Sequence, residues 1–189
     1  LTLLIRSRDS LLDRGEALRE IAERLSVEAD LSEIYGLGVK GVRSVCDAGK
    51  VAGAAVVEQR DARMHLMATE GPGWSVMLDA IGTWAGDVQS ESSGSTSIQM
   101  HFLEGTRYAV AVVQEQPLTL LVVRTCKLLD RHDRQALLAL AREVGFAHRG
   151  VRLIEQRAQR RYEALVENSS DIVVVLDDGM RMAYISPAV

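Results

Sequence analysis

Cysteine, proline and aromatic side chains are all scarce. The chain has 189 residues, with two cysteines, three prolines and only 4% Phe, Trp and Tyr. Cys46 and Cys126 stand 80 positions apart, which gives no disulfide framework, and neither belongs to a CxxC or Cys/His group with zinc spacing. Both lie in apolar stretches and are expected as buried, reduced thiols, which fits a cytoplasmic chain. No apolar run approaches the roughly 20 residues of a membrane-spanning helix, so any membrane attachment is expected only through a segment upstream. A large excess of either charge is also lacking: 22 Lys and Arg against 26 Asp and Glu leave a formal net charge of −4, which argues against a primary nucleic-acid surface. The four histidines, His65, His101, His132 and His148, are scattered, and no metal or cofactor is indicated.

What is present is enough apolar sequence to fold. Hydrophobic residues make up 47% and charged residues 25%. The chain begins with Leu1 in place of Met and stops at Ser186-Pro187-Ala188-Val189, so it is expected to be a segment of a longer chain.

The organising stretch is 130–168, which reads as one long helix or two helices run together. Asp130 is a good N-cap, and Asp133 adds negative charge to the first turn, where the helix dipole favours it. Val144, Val151, Ala158 and Leu165 are seven apart, Ala147 and Ile154 hold the second seam position, and Arg161 interrupts it. This short heptad pattern predicts a helix that pairs with a second copy. The arginines at 142, 149, 152, 157, 160 and 161 are interspersed with Glu143, Glu155 and Glu163 and read as a solvated face. Leu4, Leu11, Leu18 and Leu25 repeat the seven-residue spacing, with Ile21 on the second seam, so an amphipathic helix is predicted over 5–26.

A break at 27–29 leads to Asp30, the N-cap of a second helix carrying Leu31, Ile34, Leu37, Val42 and Val45 inward. Gly36, Gly38 and Gly41 lower its propensity, so packing, expected against a sheet, must hold it. Strands follow at 51–58 and 63–69 around a polar turn, an antiparallel hairpin. Gly71-Pro72-Gly73 breaks the chain. Trp74, Met77, Leu78, Ile81 and Trp84 fall on one face of a short helix, and 86–97 reads as a flexible loop. Strands at 97–103, 107–114 and 118–125 complete the series, with Pro117 at a turn. Paired antiparallel strands with helices between them indicate an α+β fold, helices packed on the sheet and amphipathic helices at both ends.

That order, with Asp30-Leu31-Ser32-Glu33-Ile34 opening the first domain helix, the 51–69 hairpin, and a final strand, an Asp130-Arg131-His132-Asp133 turn and a Leu-rich helix across 118–144, resembles a GAF domain. The resemblance covers roughly 27–148. From Arg161 on, the helix end Ala164-Leu165-Val166-Glu167-Asn168-Ser169-Ser170-Asp171, a strand at 172–176, the Asp177-Asp178-Gly179 turn and a second strand before Ser186-Pro187 resemble the opening of a PAS domain. The Asp-Asp-Gly turn between apolar runs is a hairpin signal in its own right. The division implied is a connecting helix at 1–26, a GAF-like domain at 27–148, a linker helix at 149–168 and a truncated PAS start at 169–189. Chains of this order resemble sensory regions of cyclic-di-GMP synthases and phosphodiesterases (GGDEF and EAL proteins), with histidine kinases as the alternative. The resemblance implies a homodimeric sensory module that binds a small molecule or partner and controls an effector domain in cis. The competing readings are a ligand-free dimerisation scaffold and a GAF-fold methionine sulfoxide reductase, which needs paired accessible cysteines.

No catalytic residues are predicted. Gly36, Gly38 and Gly41 have the GxGxxG spacing, but inside a helix rather than after a strand, so they read as packing glycines. Ser92 to Ser97 lack the His and Asp of a triad. The cysteines do not match the bilin-attachment context of photoreceptor GAF domains, and the Asn-Lys-Phe-Asp-Glu pattern of cyclic-nucleotide-binding GAF domains is missing. Trp74, Met77, Trp84, Met100, Phe102 and Tyr108 are the candidate pocket residues, with the 86–97 loop as a lid. His65 and His101 are expected on the opposite strand faces, at the surface. The candidate dimer residues are Leu4, Leu11, Leu18, Ile21, Leu25, Val144, Val151, Ile154, Ala158 and Leu165.

Overall fold

The computed structural model describes residues 2–91, 98–167, 174–176 and 179–185. It separates into two compact units, Leu1–His148 and Arg149–Val189.

In the first unit, helix α1 (Thr2–Val27) precedes α2 (Leu31–Val45). The Asp30 carboxylate caps α2, accepting from the Ser32 and Glu33 amides at 2.7 and 3.3 Å. The Ser32 hydroxyl donates to it as well, and that bond does most to hold the Asp30 carboxyl below its ordinary pKa. The hairpin β1 (Val51–Arg60) and β2 (Arg63–Glu70) follows. A single 3₁₀ turn, Ser75–Met77, leads into α3 (Leu78–Glu91). Strands β3 (Gln99–Leu103), β4 (Thr106–Glu115) and β5 (Leu118–Thr125) then run into α4 (Arg131–Glu167). The five strands form one antiparallel sheet in the order β2-β1-β5-β4-β3.

β5 is central, and its run of Leu and Val is buried on both faces. Alternation sends Leu118, Leu120 and Val122 toward α3, and Thr119, Leu121 and Val123 to the other face. On that other face Tyr35 of α2 reaches Glu58 of β1 (3.1 Å), and the same hydroxyl lies 3.4 Å from His148 Nδ1 of α4. Glu58 is buried, and Arg60 donates to its second carboxylate oxygen, so the buried charge is paired.

α2 packs on the sheet as expected, but two of its glycines face helices. A Cβ on Gly38 would meet Val144 Cγ2 at 2.9 Å, and one on Gly41 would meet Ile21 Cδ1 at 2.9 Å and Leu140 Cδ1 at 3.3 Å. Gly38 thus admits α4, and Gly41 admits both α1 and α4. Gly36 meets nothing within 4 Å.

This packing corrects the seam assignment. Ile21, Leu25 and Val144 are core residues of their own unit, with Ile21 and Val144 pressed against α2, so they are not free to face a second copy. Helices packed within one chain generate the same seven-residue recurrence as a coiled coil does. Leu18 is half-buried and Val151 buried, whereas Ile154 (66% exposed) and Ala158 are open to solvent. The side chains of Leu4, Leu11 and Leu165 lie outside the described ones.

Two further expectations change. α3 continues through 86–91, the first half of the predicted loop, because Trp84 and Ala85 anchor its middle and carry the helix past Gly86. The rest of that loop, 92–97, lies outside the described residues. Cys126 is exposed, not buried, because it follows the last residue of β5 and so escapes the sheet's two covered faces.

In the second unit, the remainder of α4 is mostly exposed from Leu153 to Arg161. β6 (Val174–Leu176) and β7 (Met182–Ile185) pair antiparallel. Asp177 and Asp178 of the predicted turn, and 168–173 before it, lie outside the described residues. No helix among the described residues is long and apolar enough to cross a membrane.

Candidate functional site

Between α3 and the sheet sits an aromatic cluster. Trp84 stacks on His101 of β3, with ring centroids 4.8 Å apart and planes 15° from parallel. Tyr108 of β4 lies 5.3 Å from Trp84 and 6.5 Å from Trp74, the second contact edge-to-face. The Tyr108 hydroxyl points to the Met77 sulfur at 3.7 Å. Trp74 donates its indole N–H to the Glu70 carbonyl, and the Arg124 guanidinium lies 5.4 Å from its ring centroid. Both indoles and the phenol are less than a tenth exposed.

Local sequence builds this arrangement. Gly71 and Gly73 adopt φ of +92° and +82°, which turns the chain out of β2 and brings Trp74 back beneath it. A Cβ on Gly53 would lie 2.6 Å from the Glu70 carbonyl oxygen, so the close approach of β1 to the end of β2 requires glycine there. Helical spacing from Trp74 to Trp84 keeps Met77, Ile81 and both indoles on the sheet side.

Of the six pocket candidates, the structure brings together Trp74, Met77, Trp84 and Tyr108. It separates Met100 and Phe102 from them. Both pair across the sheet with Ala109 and Arg107, on the face opposite Tyr108, and Phe102 is 66% exposed. The residue that β3 contributes to the cluster is His101, which pairs with Tyr108. Alternation along β3 separates the two sets correctly but does not say which set faces α3. His65 is exposed on β2, as expected. Arg124 is not among the sequence candidates, although its position two residues beyond Val122 places it on the α3 face.

A second constellation holds the first turn of α4. Asp130 Oδ1 accepts from the Asp133 amide (2.9 Å) and Asp133 Oδ2 accepts from the Asp130 amide (3.2 Å), a reciprocal cap of the capping-box type. Asp133 is fully buried. It also accepts from the Asp47 amide and pairs with Arg14 of α1 (2.9 Å) and Lys50 (2.6 Å). Lys50 reaches Asp130 as well (2.8 Å). That bond holds the Asp130 carboxyl well below the usual carboxylate range, and the bonds to Asp130 and then Asp133 raise the Lys50 ammonium. Cys46 sits beside this group, its thiol 3.7 Å from the Asp133 carbonyl. Burial, with the Asp133 charge second, pushes that thiol up to about 12. Among the described residues, no three His, Cys, Asp or Glu side chains group to hold a metal ion.

No protein-family model matches the sequence, and no curated protein does either. Solved structures do match in shape. The GAF domain of a phosphoenolpyruvate-protein phosphotransferase from Coxiella burnetii superposes with a TM-score of 0.56 at 14% identity, over 77% of this chain and 98% of that one. The GAF domain of a putative sensor histidine kinase from Pseudomonas syringae pv. tomato gives 0.55 at 15% identity, over 81% and 98%. Free methionine-R-sulfoxide reductase from Neisseria meningitidis, solved with its substrate, gives 0.50 at 14% identity, over 75% and 91%. The chain has a GAF-like α+β fold. At such identities the likeness establishes the fold and leaves the chemistry to this chain's own residues.

Proposed function

We propose that the chain is a regulatory sensory module, homodimeric and cytoplasmic, in which a small molecule or partner acts at the Trp74–Trp84–Tyr108–His101 cluster and controls an effector domain in cis. The observation that carries this reading is the division of labour between the two faces of one sheet. The aromatic cluster occupies one face, while α2 and α4 meet on the other through Tyr35, Glu58 and His148. β4 and β5 are shared by both layers, so a change in side-chain packing on one face shifts the strands that support the other. Signalling then needs two helix arrangements of similar energy, biased by differential binding. Arg161 at a seam position and the small Ala158 would keep a paired α4 weak enough to switch.

The effector proposed is a diguanylate cyclase or phosphodiesterase, with a histidine kinase as the alternative. The support is the PAS-like sequence from Arg161 onward and the antiparallel β6–β7 pair within it.

Native mass spectrometry of the purified chain tests the core of the proposal. A dimer carrying extra mass supports the sensor. A dimer without it favours the scaffold, which the near-complete burial of both indoles also favours. A monomer at all concentrations defeats the dimeric mechanism. The reductase reading is opposed by Cys46, whose thiol is buried and held protonated.

A further inference from the structure

A groove lies outside the aromatic cluster, where the first turns of α4 meet Ile98, the residue before β3. Its volume is about 470 Å³, within the range of small-molecule sites. Ile98, Leu129 and Leu138 make its apolar walls, and Arg131 and Arg134 supply the charge.

The electrostatics select the ligand. Asp130 also borders the groove, but Lys50 neutralises its carboxylate at 2.8 Å. Neither Arg131 nor Arg134 has an ion-pair partner among the described residues. Arg134 is anchored beside the apolar wall by its Nε–H bond to the Leu129 carbonyl (3.2 Å), while Arg131 is exposed. The Asp133 amide is already taken by Asp130, so the guanidinium groups rather than that amide are the donors available to an anion. A compact polyanion would leave the apolar walls uncovered. A single carboxylate on an aliphatic chain matches both the two guanidinium groups and the Leu and Ile walls.

We propose that this groove binds an amphipathic monocarboxylate, its head between Arg131 and Arg134 and its chain against Ile98, Leu129 and Leu138. The site is separate from the aromatic cluster. It adjoins the Asp130–Lys50–Asp133–Arg14 group, so occupancy there would bear on the start of α4.

The test is a titration of the isotope-labelled chain with decanoate below its micellar concentration, read by methyl and amide NMR. The expected result is shift changes centred on Ile98, Leu129 and Leu138, with affinity reduced at least tenfold in the Arg131→Glu, Arg134→Gln double variant. Because Arg134 also braces Leu129, Arg131→Glu alone provides the cleaner reading: it is expected to weaken decanoate at least threefold with an unchanged melting temperature. Three results would overturn the proposal: decyltrimethylammonium binding as tightly as decanoate, shifts centred on the Trp74 and Trp84 indoles, or undiminished affinity in Arg131→Glu. Binding to phosphatidylglycerol vesicles with no response to free decanoate would overturn it too, assigning the arginines to a membrane surface.

Discussion

The guanidinium of Arg14, midway along α1, lies 2.9 Å from the carboxylate of Asp133 in the first turn of α4. Asp133 has no solvent exposure, while Arg14 and Lys50 retain 17% each. One buried carboxylate therefore ties the first helix to the last and caps the last as well. Asp133→Ala removes the acceptor for two backbone amides, strands the partly buried Arg14 and leaves Lys50 with Asp130 alone as its close partner. A loss of about 3 kcal/mol is expected, at the lower end of the range for breaking a buried pair because both cations can still reach water. Urea unfolding followed by circular dichroism measures it, and a loss below about 1 kcal/mol would show that the group does not brace the fold.

The same group makes stability depend on pH. The folded-state pKa of Asp130 is depressed, first by the Lys50 hydrogen bond. Its contribution is complete above the unfolded carboxylate value of about 4 and is lost as pH falls through the folded value. The pKa of Lys50 is raised by its bonds to Asp130 and Asp133. Its contribution is complete below the unfolded value of about 10.4 and is lost as pH climbs through the folded one. Lys50→Met is expected to lower the plateau between these limits and to flatten both flanks in a pH series of urea midpoints.

The α2 glycines separate backbone propensity from packing. Gly36→Ala meets open space and is expected to stabilise by roughly 0.5–1 kcal/mol. Gly38→Ala gains the same propensity but drives a methyl into Val144 Cγ2, a branched side chain with one favoured helical rotamer. Overpacking of this kind typically costs about 1–3 kcal/mol, so a net loss is expected. Thermal unfolding of the two variants side by side gives the order, and a stabilised Gly38→Ala would mean that α4 moves aside freely.

The two faces of β3 are distinguishable by substitution. His101→Ala removes the ring stacked on Trp84 and should cost about 1 kcal/mol while changing the tryptophan emission. Phe102→Ser alters an exposed side chain on the other face and should stay within about 0.5 kcal/mol with the emission unchanged. The reverse order of effects would return Phe102 to the cluster.

Much of this fold is legible in the sequence because local signals agree with tertiary ones. Asp30 and Asp130 mark helix starts by capping chemistry that acts over three residues, and the strands announce themselves through runs such as that of β5. What fails to show is information held between elements. Val144 every seventh residue looks the same whether it faces Gly38 of its own chain or a second copy. Period-two alternation divides β3 into His101 and Met100 with Phe102, yet only the pairing with Tyr108 decides which set meets Trp84. Asp133 reads as a dipole-matched first-turn acid, and nothing local announces Arg14, 119 positions earlier, or Lys50 as its partners.

The cysteines provide the last prediction and bear on whether the fold is used here for thiol chemistry. Thiolate is the reactive form, and its population falls tenfold for each unit by which the thiol pKa exceeds the pH. With Cys46 pushed up to about 12, about one thiol in ten thousand is ionised at pH 8, and burial restricts access further. Cys126 is exposed. Ellman's reagent at pH 8 should therefore release one equivalent promptly from the native chain and a second only in denaturant. Cys126→Ser should abolish the fast phase and leave the slow one. Rapid modification of Cys46 in the native state would mean that α2, β1 and the first turn of α4 part readily around Asp133, reopening the reductase reading that the buried thiol now opposes.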